Sequence, residues 1–248
     1  MKQIRILMII EAGTITSTND FLRDYAPEED ITIAWTQFQT NGRGQCGAWI
    51  SDPGLNLLFS ILLVPSDLAV SDGFILSQAN ALALRDTLRE YIDDVHIKWP
   101  NDIYTNDRKI AGTLIENQLQ GKYIRRSVIG TGINVNQKQF PDGLAAPATS
   151  IALETGKSIP PVEILHRFVQ YFQSYCQYVR SGQYDHIRKL YCRFLYLLGQ
   201  EHVFTDRNGN FAGTVQGVEP NGHLIIQDTY GKERRYAFKE VRIATDSK

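Results

Sequence analysis

Apolar residues recur along this chain at two spacings, and the change from one to the other divides it. "MKQIRILMII" (1–10) opens as an apolar strand, and "STNDFLRDYA" (17–26) as a short helix entered through a cap at Ser17 or Thr18. β-Branched and aromatic residues in partial alternation predict a strand over "ITIAWTQFQT" (31–40). "NLLFSILLVP" (56–65) reads as a continuously buried strand closed by Pro65. Phe74, Ala81, Leu84 and Leu88 lie near helical spacing and predict a helix over about 72–91. Strands follow at "VHIKWP", "DIYTN", "KIAGTLIENQ" and "YIRRSVIGTGINVN", with "NDRK" as a tight hairpin turn. From Pro160 the period lengthens: Leu165, Phe168, Val169, Phe172, Tyr175, Cys176 and Val179 mark an amphipathic helix. A second helix covers roughly 184–198 and is closed by Gly199. Beyond it, short strands alternate with turns at Asn208-Gly209, Asn221-Gly222 and Tyr230-Gly231. Asn-Gly suits a two-residue hairpin turn, which needs positive φ at both central positions. The pattern predicts an α+β body over 1–198 and a small β-barrel over 199–248.

Composition narrows the function classes. With 248 residues, 43% hydrophobic and 21% charged, the chain has room for one large domain with a small appendage. A net charge of −1 argues against a general nucleic-acid or membrane-surface binder. Cys46, Cys176 and Cys192 are odd in number and follow no metal motif. The apolar start is too short for a signal peptide and no run of 18 apolar residues exists, so the expected setting is cytoplasmic.

"NGRGQCGAW" (41–49) contains a literal G-x-G-x-x-G in Gly42, Gly44 and Gly47. A dinucleotide-binding turn must open a helix, but Asp52-Pro53-Gly54 places a turn where that helix should run. Three further stretches are polar where a buried strand would be apolar: "KWPND" (98–102), "DRKIAGTLIE" (107–116) and "GTGINVN" (130–136). They bring Lys98 and Lys109 alongside Arg43, with open backbone at Gly44, Gly112 and Gly132. That set suits an anionic, phosphate-bearing ligand lying across a sheet. There is no Walker lysine motif and no His/Cys cluster for a metal.

These stretches, taken in order with "TSTN" (16–19), "GRGQ" (42–45) and "ATSI" (148–151), resemble the biotin protein ligases. The resemblance implies a mixed β-sheet flanked by helices, related to class II aminoacyl-tRNA synthetases and lipoate ligases, with a C-terminal SH3-like barrel. Because the chain starts at the first catalytic strand, it is similar to the monofunctional class that lacks a DNA-binding domain. The implied chemistry is adenylation of biotin by ATP with Mg²⁺, then transfer to a lysine of a biotin carboxyl carrier protein. Lipoate ligation and non-catalytic biotin sensing are the competing readings. The implied protein is a monomer or weak homodimer, with no nucleic acid or membrane partner.

Residue roles are implied in the same way. Ser17, Thr18 and Asn19 match the biotin-binding triplet, with Gln39, Gly42, Gly44, Gln45 and Gly112 as further biotin contacts, and Ile110, Ala111 and Leu114 as an apolar sleeve. Arg43 and Lys109 neutralise the biotin carboxylate and α-phosphate, and Asp102 either helps deprotonate the carrier lysine or only caps a turn. Gln45, Trp49, Lys98, Asn101 and Asn134 join Arg43 and Lys109 near the nucleotide, while Cys46 is a bystander in the loop. Many members carry two more arginines in the glycine loop. Here Gln45 and Ala48 stand in their places, which predicts a leakier hold on the adenylate.

Overall fold

A computed structural model describes residues 6–27, 29–45, 47–144 and 146–244. The first five residues of the predicted opening strand, and Cys46, lie outside the described residues. Among the described residues, nine strands lie before residue 134: β1 (Ile6–Ala12), β2 (Ile31–Thr36), β3 (Arg43–Gly44), β4 (Gly47–Ala48), β5 (Leu57–Leu63), β6 (His96–Lys98), β7 (Asp102–Thr105), β8 (Arg108–Gln120) and β9 (Tyr123–Ile133). Seven of them form one sheet in the order β1-β2-β5-β9-β8-β7-β6. β1 runs parallel to β2 and every other neighbouring pair is antiparallel, so the sheet is mixed.

Every residue of β2 and β5 is buried, and the two faces explain why their alternation is only partial. On one face α1 (Thr18–Arg23) packs Leu22 against Ala34, Leu62 and Val128. On the other, Ile33, Phe59, Ile61 and Ile129 meet α2 (Phe74–Leu88) and α4 (Pro161–Arg180). A strand covered on both sides has no solvent face to carry polar residues. A short helix, α3 (Ile151–Thr155), absent from the sequence reading, sits between β9 and α4 with the Ser150 side chain capping Leu153 N–H.

The helix expected over 184–198 stops earlier, as α5 (Tyr184–Arg193). Residues 194–198 instead line the outer edge of β6: Ile97 N–H donates to Phe194 O and Tyr196 N–H to Ile97 O, both at 2.8 Å. Covering that edge satisfies backbone groups that an edge strand leaves open, and it buries Leu195 and Leu197.

The C-terminal strands β10 (Glu201–Asp206), β11 (Gly209–Val218), β12 (Leu224–Asp228), β13 (Glu233–Tyr236) and β14 (Arg242–Ile243) form an antiparallel sheet. Its order is β13-β12-β11-β10-β14, with β13 and β14 as edges rather than partners, so among the described residues the pairing does not close into a barrel. The expected Asn208-Gly209 turn is shifted: Asp206 pairs with Gly209, so Arg207-Asn208 is the loop between β10 and β11, and Gly209 alone of the pair takes positive φ, at 112°. Phe204, Val215, Leu224 and Ile226 join the core of α2 and α4. Trp99 Nε1 donates to Gly222 O at 2.8 Å, tying this sheet to the "KWPND" turn.

Candidate active site

A solvent-open cleft of about 460 Å³ lies on the α1 face of the large sheet. It is lined by Ser17, Thr18, Asn19, Gln39, Arg43, Gly44, Gln45, Trp49, Asn101, Asp102, Lys109, Gly112 and Leu114, all named by the sequence reading. Leu58, Thr113, Gly130, Thr131 and Gly132 complete it.

The polar end is built at the start of α1. Ser17 is buried at the N-cap position, yet its hydroxyl makes no bond to the helix. Thr18 donates its backbone N–H to Gln39 Oε1 at 2.7 Å, and its hydroxyl oxygen lies 3.1 Å from the same atom. Ser60, on β5, is hydrogen bonded to Thr18 Oγ1 and Asn19 Oδ1 at 2.6 Å each. Asn19 Nδ2 donates to Glu116 Oε2 at 2.7 Å. Glycine at 130 makes this possible, since a Cβ there would stand 2.1 Å from Asn19 Oδ1.

Two cations face the cleft, each held by carboxylates. Arg43 Nη2 lies 2.9 Å from Asp20 Oδ1 and 3.1 Å from Glu116 Oε2. Lys109 Nζ lies 2.7 Å from Asp102 Oδ1 and 5.7 Å from the Trp49 ring centre. Simple alternation would put Lys109 on the opposite face from Gly112 and Leu114. The register of β7 on β8 pairs Asp102 with Gly112 and Ile103 with Ala111, then Tyr104 with Lys109, so one residue of β8 is extra. This bulge turns Lys109 back to the cleft. Ile110 and Ala111 accordingly lie in the core with no exposed surface, and Leu58 and Leu114 supply the apolar lining in their place.

The glycine loop folds as a hairpin of β3 on β4, closed by Trp49 N–H to Gly42 O at 2.9 Å. No helix follows it, which rules out the dinucleotide turn. Gly42 also has no space for a side chain, as a Cβ would meet Trp49 O at 2.8 Å. The Trp49 ring covers Gly132, where a Cβ would come within 2.3 Å of it. Trp49 Nε1 and Gln45 Oε1 are buried without hydrogen-bond partners. Buried polar atoms are rarely left so, and these two sit where a ligand would meet them.

Asn101 Nδ2 donates to Thr113 O, and Thr113 N–H returns a bond to Asn101 O at 3.1 Å. Two predicted nucleotide contacts lie outside the cleft lining. Lys98, one strand further out than Asp102, donates to Tyr104 Oη at 2.9 Å. Burial, and then the Asp102 charge, push the Tyr104 hydroxyl well up, so it stays protonated. Asn134 is buried and donates from Nδ2 to Thr149 O at 2.9 Å. Lys109 N–H donates to Pro147 O and Thr149 N–H to Lys109 O, so Asn134 and "ATSI" brace the Lys109 backbone. Asp20 carries no motif signal, and Glu116 is only the last letter of one. Both were missed.

Residues 12–134 match the model of the biotin/lipoate A/B protein ligase family. The chain belongs to that family. Among similar members, the bifunctional ligase/repressor BirA of Bacillus subtilis is 29% identical over 242 residues, 96% of this chain and 73% of that one. The biotin--[acetyl-CoA-carboxylase] ligase of Paracoccus denitrificans is 27% identical over 202 residues, 79% of this chain and 83% of that one. The biotin protein ligase of Aquifex aeolicus, solved with biotin and ATP, superposes with a TM-score of 0.80 at 25% identity, covering 96% of this chain and 99% of that one. Among the described residues no helix is long and apolar enough to cross a membrane.

Proposed function

We infer that this chain is a biotin protein ligase, which condenses biotin with ATP into biotinyl-5′-AMP and pyrophosphate, then passes the biotinyl group to a lysine. The observation that carries the reading is the cleft itself. Buried neutral donors and acceptors at one end suit a ureido ring, and two cations flank the path of a carboxylate toward a phosphate. A lipoyl ring has no group to satisfy Ser17, Thr18, Asn19 and Gln39, and a site built to hydrogen bond its ligand rejects analogues that leave it unpaired. A mere sensor of biotin has no need of two cations, Lys109 and Arg43, lining the cleft.

In the adenylation step a biotin carboxylate oxygen forms a bond to the α-phosphorus while the α–β bridging bond breaks. Two anions must approach, so Arg43 and Lys109 lower the barrier by pairing with charge that crowds together in the transition state. Asp102, freed as Lys109 turns to the phosphate, takes a proton from the incoming lysine. That amine bonds to the acyl carbon and AMP leaves. Trp49 and Asn101 shelter the nucleotide. Magnesium fits as an ion that ATP brings: no group of three metal-binding side chains occurs among the described residues, so the triphosphate supplies most ligands. We take residues 1–198 as the catalytic unit and 199–248 as the C-terminal unit. A biotin carboxyl carrier protein is the acceptor, and the cytoplasm is the setting.

Incubation with ATP, Mg²⁺ and biotin, with and without a biotin carboxyl carrier domain, tests this. Biotin-dependent pyrophosphate release and one added biotin by mass spectrometry are expected. Use of lipoate or octanoate in place of biotin would overturn it.

A further inference from the structure

We propose that Glu116 is a positioning residue with two linked tasks: it sets the direction of the Asn19 amide, and through Arg43 it latches the glycine loop over the ureido pocket. This rests on the ligase reading above. Glu116 Oε2 accepts from Asn19 Nδ2 at 2.7 Å and from Arg43 Nη2 at 3.1 Å, while Oε1 faces Arg23 Nη2 at 3.5 Å. An ionised carboxylate has no hydrogen to donate, so it admits only the NH₂ end of the amide. Asn19 Oδ1 is thereby turned to Ser60 Oγ, over the bare backbone of Gly130. The amide then has one polarity, with one N–H and one lone pair left for a ligand. A ureido ring offers both an acceptor oxygen and donor N–H groups, so a reversed Asn19 would present the wrong pattern.

The same carboxylate reaches the loop. Arg43 bridges Glu116 and Asp20, tying together segments 73 and 23 residues from it in sequence. Within the described residues of the loop, Gln45 Oε1 and Trp49 Nε1 have no hydrogen-bond partners, so the side-chain hydrogen bonds that tie it to the rest of the fold are those of Arg43, beside the seat of the Trp49 ring on Gly132. Occupancy of the pocket and closure of the loop thus meet at one oxygen.

Glu116→Gln keeps the shape but removes both the charge and the obligatory acceptor. The biotin KM should rise about tenfold with kcat little changed, the effect of one charge-assisted hydrogen bond. Discrimination against iminobiotin, which offers a donor where biotin offers its ureido oxygen, should fall. Trypsin should cut after Arg43 several-fold faster in the ligand-free protein. Asp20→Asn leaves the amide fixed, so it should speed the cleavage while iminobiotin discrimination stays at the wild-type ratio, which general loosening of the fold does not produce. Wild-type biotin KM and wild-type cleavage at Arg43 in Glu116→Gln would overturn the proposal. If the wild-type protein shows no biotin-dependent pyrophosphate exchange, the ligase reading fails instead. The ligand-free cleavage rates then still decide the latch.

Discussion

Replacing Lys109 with Ala separates chemistry from stability, because the structure assigns the two very different magnitudes. Its Nζ stands 2.7 Å from Asp102 Oδ1, with the two side chains 28% and 21% exposed. A partly solvated pair of this kind contributes about 1 kcal/mol or less to folding. In a chain of this size that is a fall in Tm of about 2–4 °C. The lysine stem runs over Gly112 and not through the apolar core, so little packing is lost. Loss of a cation aimed at charge developing in the transition state typically costs about 3 kcal/mol, roughly a hundredfold or more in rate. Part of that cost comes from Asp102, whose carboxylate is left unpaired beside the reacting anions. The double variant Lys109→Ala with Asp102→Asn should therefore recover some of the adenylation lost by Lys109→Ala alone. The assay is biotin-dependent exchange of pyrophosphate into ATP, run beside a thermal melt. Near-normal exchange in Lys109→Ala refutes the role, and a melt lowered far beyond a few degrees shows that the lysine acts on the fold instead.

Gly132→Ala should weaken ATP binding and shift tryptophan emission while the fold persists, because its Cβ would stand 2.3 Å from the Trp49 ring and the loop must lift. Wild-type KM for ATP and unchanged emission would show that the ring does not need this seat. Acid should act on the C-terminal sheet. The Asn208 N–H, the Tyr236 hydroxyl and Arg234 hold the Asp206 carboxyl below the usual range. At Asp228, burial alone pushes upward, but hydrogen bonds from Arg234 and from the Lys232 and Tyr230 N–H groups outweigh it and the net shift is down. Depressed carboxyls contribute stability that is fully present above the ordinary carboxyl range, near pH 4, and lost as pH falls through their lower native values. Melts from pH 7 to 3 should show a shallower acid loss in Asp228→Asn than in wild type, and identical slopes would count against the coupling.

Local chemistry was readable where it is set by neighbours in the chain. Asn208-Gly209 marks a hairpin because glycine tolerates positive φ, although Gly209 alone takes it, as the first residue of β11, and Asn208 does not. The stripe from Leu165 to Cys176 shows α4 because its burial repeats at the helical period. "TSTN", "GRGQ", "KWPND" and "DRKIAGTLIE" named most of the cleft because its chemistry demands those residue types, wherever the fold puts them. Tertiary structure decided what depends on pairing between distant segments. β5 enters the sheet between β2 and β9, a placement no local pattern encodes. The helix expected to 198 gave way at Arg193, because the exposed edge of β6 offered Phe194 and Tyr196 better backbone partners than another helical turn. A one-residue bulge in β8 put Lys109 into the cleft and Ile110 into the core, although their types and order allow the reverse. Glu116 gains its place only when strand, helix and loop meet, 97 residues from Asn19 and 73 from Arg43. A side chain's type is carried by the chain, but the face it shows and the charge it meets are fixed by strand register, which is settled only when the whole sheet closes.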